Sequence, residues 1–145
     1  MKKIQFRGLT NNGEWVYGYY LLDENRNKHF ILNFSCTGSV RENLIIVETL
    51  GQFTGLYDKN GKEIYTGDIV KWGGMIGVVV FDEYWGCFGI QDQNAEDWEI
   101  EDHETLWGHN GSSTKYSPYL WNYLSKKVEV IGNISKNLDL LKEIK

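Results

Sequence analysis

Glycine-marked turns punctuate this sequence, and their spacing restricts its fold more than any other feature. Asn11-Asn12-Gly13, Lys59-Asn60-Gly61-Lys62 and Gly73-Gly74 each separate short runs rich in β-branched and aromatic residues. Asn and Gly accept the positive φ that tight turns need, so runs bounded in this way read as antiparallel strands. The chain holds 16 glycines and one proline in 145 residues, with aromatic residues at 14%. Many turns with little proline fit many short strands, and large flat rings fit sheets. A coiled coil, a collagen-like chain and a disordered tail are excluded by a composition of 41% hydrophobic and 24% charged residues. At this length about two-thirds of the unfolded chain's surface is buried on folding, enough for a true core.

The strands can be placed one by one. Ile4 and Phe6 alternate with polar neighbours up to Gly8, and EWVYGYYLL at 14–22 returns after the turn, which makes a hairpin. A polar cluster at 23–28 separates it from a strand at 29–32, and residues 44–47 read as a short buried strand. Asn60-Gly61 is expected to form a type I′ hairpin turn, with Phe53 and Leu56 before it and Ile64 and Tyr65 after it. IVKW from Ile69, MIGVVVFD at 75–82 and CFGIQ at 87–91 then form a meander. VEVIGNI at 128–134 alternates, with Val128, Val130 and Ile134 on one side and Ile131 on the other. Asn137 is expected to cap a short amphipathic helix over LDLLKEIK. The architecture is therefore mostly β: a β-hairpin lobe at 1–50, a turn-rich connector at 51–61, a small SH3-like, partly open β-barrel at 62–134 and a C-terminal helix at 135–145. An acidic, then small and polar stretch at 92–118 interrupts the barrel and is expected to be an exposed insertion.

With 15 basic and 20 acidic residues the chain carries a formal charge of −5, which disfavours nucleic acid as a partner. No apolar run follows Lys2-Lys3, so no secretory signal is expected, and no stretch approaches the length of a membrane span. Cys36 and Cys87 form no CxxC unit and are expected to be reduced, free and mostly buried.

GQFTGLYDKNGKEIYTGDIV at 51–70 closely resembles the signature of the YopX family of phage and prophage proteins. IQFRGL…NGEWVYGYYL at 4–21 is similar to that family's opening segment, and VIGNI at 130–134 to its closing strand. The family continues with a Tyr-Glu-Asn-Pro pattern where this chain has Ser135-Lys136-Asn137-Leu138, so the terminal helix lacks a proline at its first position and should fray more. The resemblance implies a phage or prophage protein working in the bacterial cytoplasm. It brings no catalytic residue, metal or cofactor that can be carried over.

Direct tests for chemistry give little. Asp58-Lys59-Asn60-Gly61 lacks the sixth-position Gly and twelfth-position Glu of a calcium loop. His103-Glu104 begins like a zinc-protease helix, but Trp107 stands where the second His is needed. Gly51, Gly55, Gly61 and Gly67 are too widely spaced for a phosphate loop, and no serine-hydrolase elbow is present. The acidic residues at 92–104 read as a solvated loop, with a phosphate-mimicking surface as the sharper alternative.

Trp72, Tyr84 and Trp85 lie near strand ends and turns, where a small barrel presents its binding surface. The plainer reading of such rings is core filling. The chain is expected to be a non-catalytic protein-interaction or assembly module, meeting a protein partner or a second copy of itself through strand edges and aromatic residues. Two alternatives stand beside it: a single-stranded nucleic-acid-binding module using the aromatics, and an enzyme using His103 and the acidic region.

Overall fold

A computed structural model describes residues 3–83, 86–92 and 126–141. These form ten strands: β1 (Phe6–Leu9), β2 (Trp15–Asp23), β3 (Lys28–Phe34), β4 (Val40–Leu44), β5 (Ile46–Tyr57), β6 (Glu63–Tyr65), β7 (Asp68–Trp72), β8 (Met75–Asp82), β9 (Cys87–Asp92) and β10 (Glu129–Asn133). They make a six-stranded sheet in the order β4-β3-β2-β1-β5-β6 and a four-stranded sheet in the order β10-β7-β8-β9. The chain divides into two compact units, Met1–Gly55 and Leu56–Lys145, so the boundary falls inside the long strand β5.

Three turns share one construction. In Thr10–Glu14, Ser35–Ser39 and Asp58–Lys62 the first N–H donates to the last carbonyl, at 3.0, 2.7 and 2.8 Å. In each, the glycine N–H at the fourth position donates back to the first carbonyl, and that glycine (Gly13, Gly38, Gly61) has φ between 77° and 84°. This is a three-residue loop with a left-handed glycine, so Asn60-Gly61 does not make the two-residue type I′ turn expected from the sequence. The first residue supplies the reason. The side-chain oxygens of Thr10, Ser35 and Asp58 each accept the N–H of the fifth residue, which closes the wider loop.

In the first unit, β1 pairs β2 in the hairpin register Phe6↔Gly18 to Leu9↔Trp15, as the alternation at 4–9 and 14–22 requires. β2 pairs β3, and β3 pairs β4, both antiparallel. Residues 44–47 are not one buried strand. Leu44 ends β4, Ile46 opens β5, and of the apolar run Ile45 alone is buried. Ile45 sits at the break between strands with its N–H on the His29 carbonyl, so its neighbours on either side are left exposed.

In the second unit, β7, β8 and β9 form the expected meander, with Trp72↔Met75 closing over Gly73-Gly74 and Asp82↔Cys87 opening the next turn. β10 pairs with β7 on the other side. A register shift between Val130 and Gly132 interrupts the strict alternation expected at 128–134. The sheet is open rather than closed into a barrel. Its core is Ile64, Val70, Trp72, Val79, Ile90 and Val128, with Leu56, Phe88 and Val130 packed against it. The C-terminal helix is short: a 3-10 turn at Leu138–Leu141, with 142–145 outside the described residues. Asn137 does not cap it with its side chain. The Asn137 Oδ1 accepts the Asn133 N–H at 3.2 Å, while Asn133 Oδ1 accepts from Ser135 and Lys136. Two asparagines thus close the corner after β10 on themselves.

Candidate interaction surface

The segment 51–70 carries the densest set of specific contacts. Asp58, 6% exposed, accepts the N–H groups of Asn60, Lys62 and Val130 at 2.8, 2.9 and 3.0 Å. Burial pushes its carboxyl up, but those backbone donors and the Lys62 ammonium outweigh it and hold the group below the usual 3.8. Lys59 adds its own N–H to the Val128 carbonyl at 3.0 Å and its ammonium to Glu129 at 2.8 Å. The turn is therefore fastened to β10 by backbone, carboxylate and ion pair together.

Asp68 does similar work at the next corner. It is 1% exposed, and its Oδ2 accepts the Tyr65 N–H at 2.8 Å. Between the two, Gly67 at φ 86° gives its N–H to the Val79 carbonyl and takes the Ile134 N–H on its own. The buried carboxylates of this segment are thus engaged by backbone donors of the fold. Among the described residues no group of three or more His, Cys, Asp or Glu side chains is placed to hold a metal.

A family model described as YopX protein matches residues 5–142. The chain belongs to the YopX family. The YopX match spans nearly the whole chain, and the segment 51–70 that carried the resemblance is the fastening just described. Protein EF1440 from Enterococcus faecalis, known from a crystal structure, is similar in fold: it is 20% identical, with 97% of this chain and 99% of that one covered at a TM-score of 0.54. No curated protein matches.

Of the aromatic residues expected to present a surface, Trp72 is 8% exposed and belongs to the core cluster. It occupies the inward side of β7, beside Val70 and facing Val128, and so fills the core rather than offering a ring to a partner. Tyr84, Trp85, His103 and the stretch 93–118 lie outside the described residues. Cys36 is not buried: it is exposed in the Ser35–Ser39 turn, while Cys87 is half-buried, and both are free.

An apolar surface does exist, on β2, β3 and β4, of which the sequence predicts the first two as strands and does not place the third. On β2, Tyr17, Tyr19 and Leu21 point to one face and are 42, 60 and 42% exposed. Cross-strand pairing puts Leu32 opposite Tyr19 and Phe30 opposite Leu21 on that face, then Leu44 opposite Phe30 and Val40 opposite Phe34. Phe34, Val40 and Leu44 are themselves 68, 58 and 40% exposed. The other face of the same strands carries Ile31, fully buried, and the Tyr20 hydroxyl bonded to His29 Nδ1 at 2.7 Å. Toward β1 the open face ends where Arg7 lies over the Trp15 ring, 4.5 Å from its centroid. β4 is the edge of this sheet. With the bond from Ile45 N–H to His29 inside the sheet, antiparallel alternation directs the N–H and C=O of Val40, Glu42 and Leu44 outward from that edge.

Two signals were present in the sequence. The alternation Tyr17-x-Tyr19-x-Leu21 puts three large apolar side chains on one face, and Phe34 with Val40 brackets a glycine turn. What it lacked was the other face: Tyr20 and Ile31 are equally apolar, and nothing local says which side meets the core.

Proposed function

We propose that this chain is a phage- or prophage-encoded, non-catalytic interaction module of the bacterial cytoplasm, and that it meets a protein through the open face of β2, β3 and β4. The observation that carries this reading is the alignment of six exposed apolar side chains on one sheet face, four of them on β3, β4 and the centre of β2. Soluble chains seldom expose a contiguous apolar patch of this kind without a partner for it. The formal charge of −5 favours protein over nucleic acid.

A photo-reactive amino acid placed at Tyr19 or Phe34, in cells that express the full chain, tests it. Adducts that survive nuclease and vanish with protease are expected, with few from the same probe at Ile4 or Leu138. Nuclease-sensitive adducts at Tyr19, or equal yields at all four positions, would replace it with the nucleic-acid reading or with no surface at all.

A further inference from the structure

We infer that the occupant of this face is a second copy of the same chain, seated sheet against sheet to make an isologous dimer. The inference rests on the interaction reading above and commits it to one partner. Area is the first argument. Tyr17, Tyr19, Leu21, Phe34, Val40 and Leu44 are each about half exposed, and together leave on the order of 600 Å² of surface, the larger part of it apolar, on one sheet face. The largest apolar patch on a lone chain is typically about 300–600 Å² and is often functional, so this one stands at the upper end of that range. A standard interface takes about 800 Å² from each partner, so this patch with its rim is of the size a stable dimer needs.

Composition is the second argument. On β2 and β3 the middle of the patch, Tyr19, Leu21, Phe30 and Leu32, is aliphatic and aromatic with no charge. Its charged members stand around them: Asp23 and Lys28 face each other at the far end of β2 and β3, Arg7 lies opposite Tyr17 on β1, and Glu42, opposite Leu32, stands between Val40 and Leu44 on the edge strand. An uncharged centre with a mixed rim is the pattern of permanent homo-oligomer interfaces, which resemble a domain core cut in two. A transient partner would leave this surface bare whenever it was absent. A second copy is present in fixed ratio from synthesis onward. Two such three-stranded faces can pack at the roughly 10 Å spacing of a β-sandwich, with the rings of one sheet between those of the other. A two-fold axis makes one patch serve both sides.

The test is the mass of the full chain in solution, by light scattering after gel filtration and by sedimentation equilibrium at micromolar concentration. A dimer is expected. The double variant Tyr19→Lys with Phe34→Glu should be monomeric, with dissociation strengthened at least about 100-fold, and Leu138→Lys should remain dimeric. Because the double variant could misfold, its circular dichroism is compared with wild type. The milder Tyr19→Ser provides an independent reading, expected to weaken the dimer about tenfold or more. A monomeric wild type, or a dimer untouched by both face variants, overturns the inference. A monomer whose Tyr19 probe still cross-links a different protein overturns the second copy but leaves the interaction reading standing.

Discussion

The Asp58 carboxylate accepts the Val130 N–H at 3.0 Å, joining residues 72 apart in the chain. The same side chain organises its own turn, since its other oxygen holds the N–H groups of Asn60 and Lys62. One buried carboxylate therefore sets both a local loop and the docking of that loop on the last strand.

Asp58→Ala should be costly out of proportion to its size. It leaves the half-buried Val130 N–H and the turn N–H groups without their acceptor, at about 1–3 kcal/mol where such a group is kept from water. A total of roughly 2–4 kcal/mol is expected, read as a lower urea midpoint at unchanged slope. A loss below about 0.5 kcal/mol would mean that water replaces the carboxylate freely.

The same group gives the fold an acid-sensitive component. Its folded-state value is held below the ordinary 3.8 of the unfolded chain, so the unfolded chain binds the proton more readily. The contribution is complete above that ordinary value and is lost as pH falls through the lowered one. Wild type should lose more stability than Asp58→Asn between neutral pH and pH about 3. At neutral pH the Asn variant should be weaker by about 1–2 kcal/mol, since it keeps one acceptor and loses the charge. Urea titrations of both proteins at the two pH values decide it.

Next door, Lys59 and Glu129 make a closer contact, 2.8 Å, that should matter less. Their side chains are 46 and 40% exposed, so solvent and salt screen the pair. Lys59→Ala keeps the backbone bond to Val128 and should cost under about 1 kcal/mol, shrinking further in high salt. Denaturation at low and high ionic strength measures the difference.

Gly18 and Gly74 should respond in opposite ways to the same change. A Cβ built on Gly18 runs into the backbone carbonyl of Leu32, and the methyl of Ile31 stands 3.2 Å away. Backbone cannot step aside without parting β2 from β3, so Gly18→Ala should cost about 2–3 kcal/mol or prevent folding. Nothing lies within 4 Å of a Cβ on Gly74, and Gly74→Ala should be neutral within about 0.5 kcal/mol. Thermal melting of both variants checks the pair.

Much of the strand plan was legible because it depends on local chemistry. β8 spans the residues read as MIGVVVFD, and Gly73-Gly74 makes the turn placed there, because β-branched runs and glycine pairs act within a few residues. The errors share a different cause. Asn60-Gly61 looked like a two-residue turn because the pair is decisive only when no neighbour competes, and Asp58 competes for the same N–H groups. Asn137 looked like a cap, yet Asn133, four residues earlier, takes its oxygen. Residues 44–47 looked like one strand because apolarity was read without the chain's need to change partners at Ile45. The open face of β2–β4 was visible as alternation but not as a surface, since exposure depends on what packs from elsewhere.

Trp72 brings these two kinds of information into conflict, and a single substitution separates them. It ends a strand at a Gly-Gly turn, the position from which a ring could reach a partner, yet it is 8% exposed among Val70, Val79 and Val128. A ring at a binding surface can be removed with little change in stability, whereas a buried one takes its packing with it. Trp72→Ala should therefore destabilise the fold by about 3–5 kcal/mol, and Trp72→Phe by less, since Phe refills most of the space. Tyr19→Ser, on the open face, should leave the fold of an isolated chain nearly unchanged. Urea unfolding of Trp72→Ala and Tyr19→Ser, followed by circular dichroism at the lowest workable concentration, sets the two side by side. A Trp72→Ala protein as stable as wild type would return that ring to the surface and would undo the core assigned to the second unit.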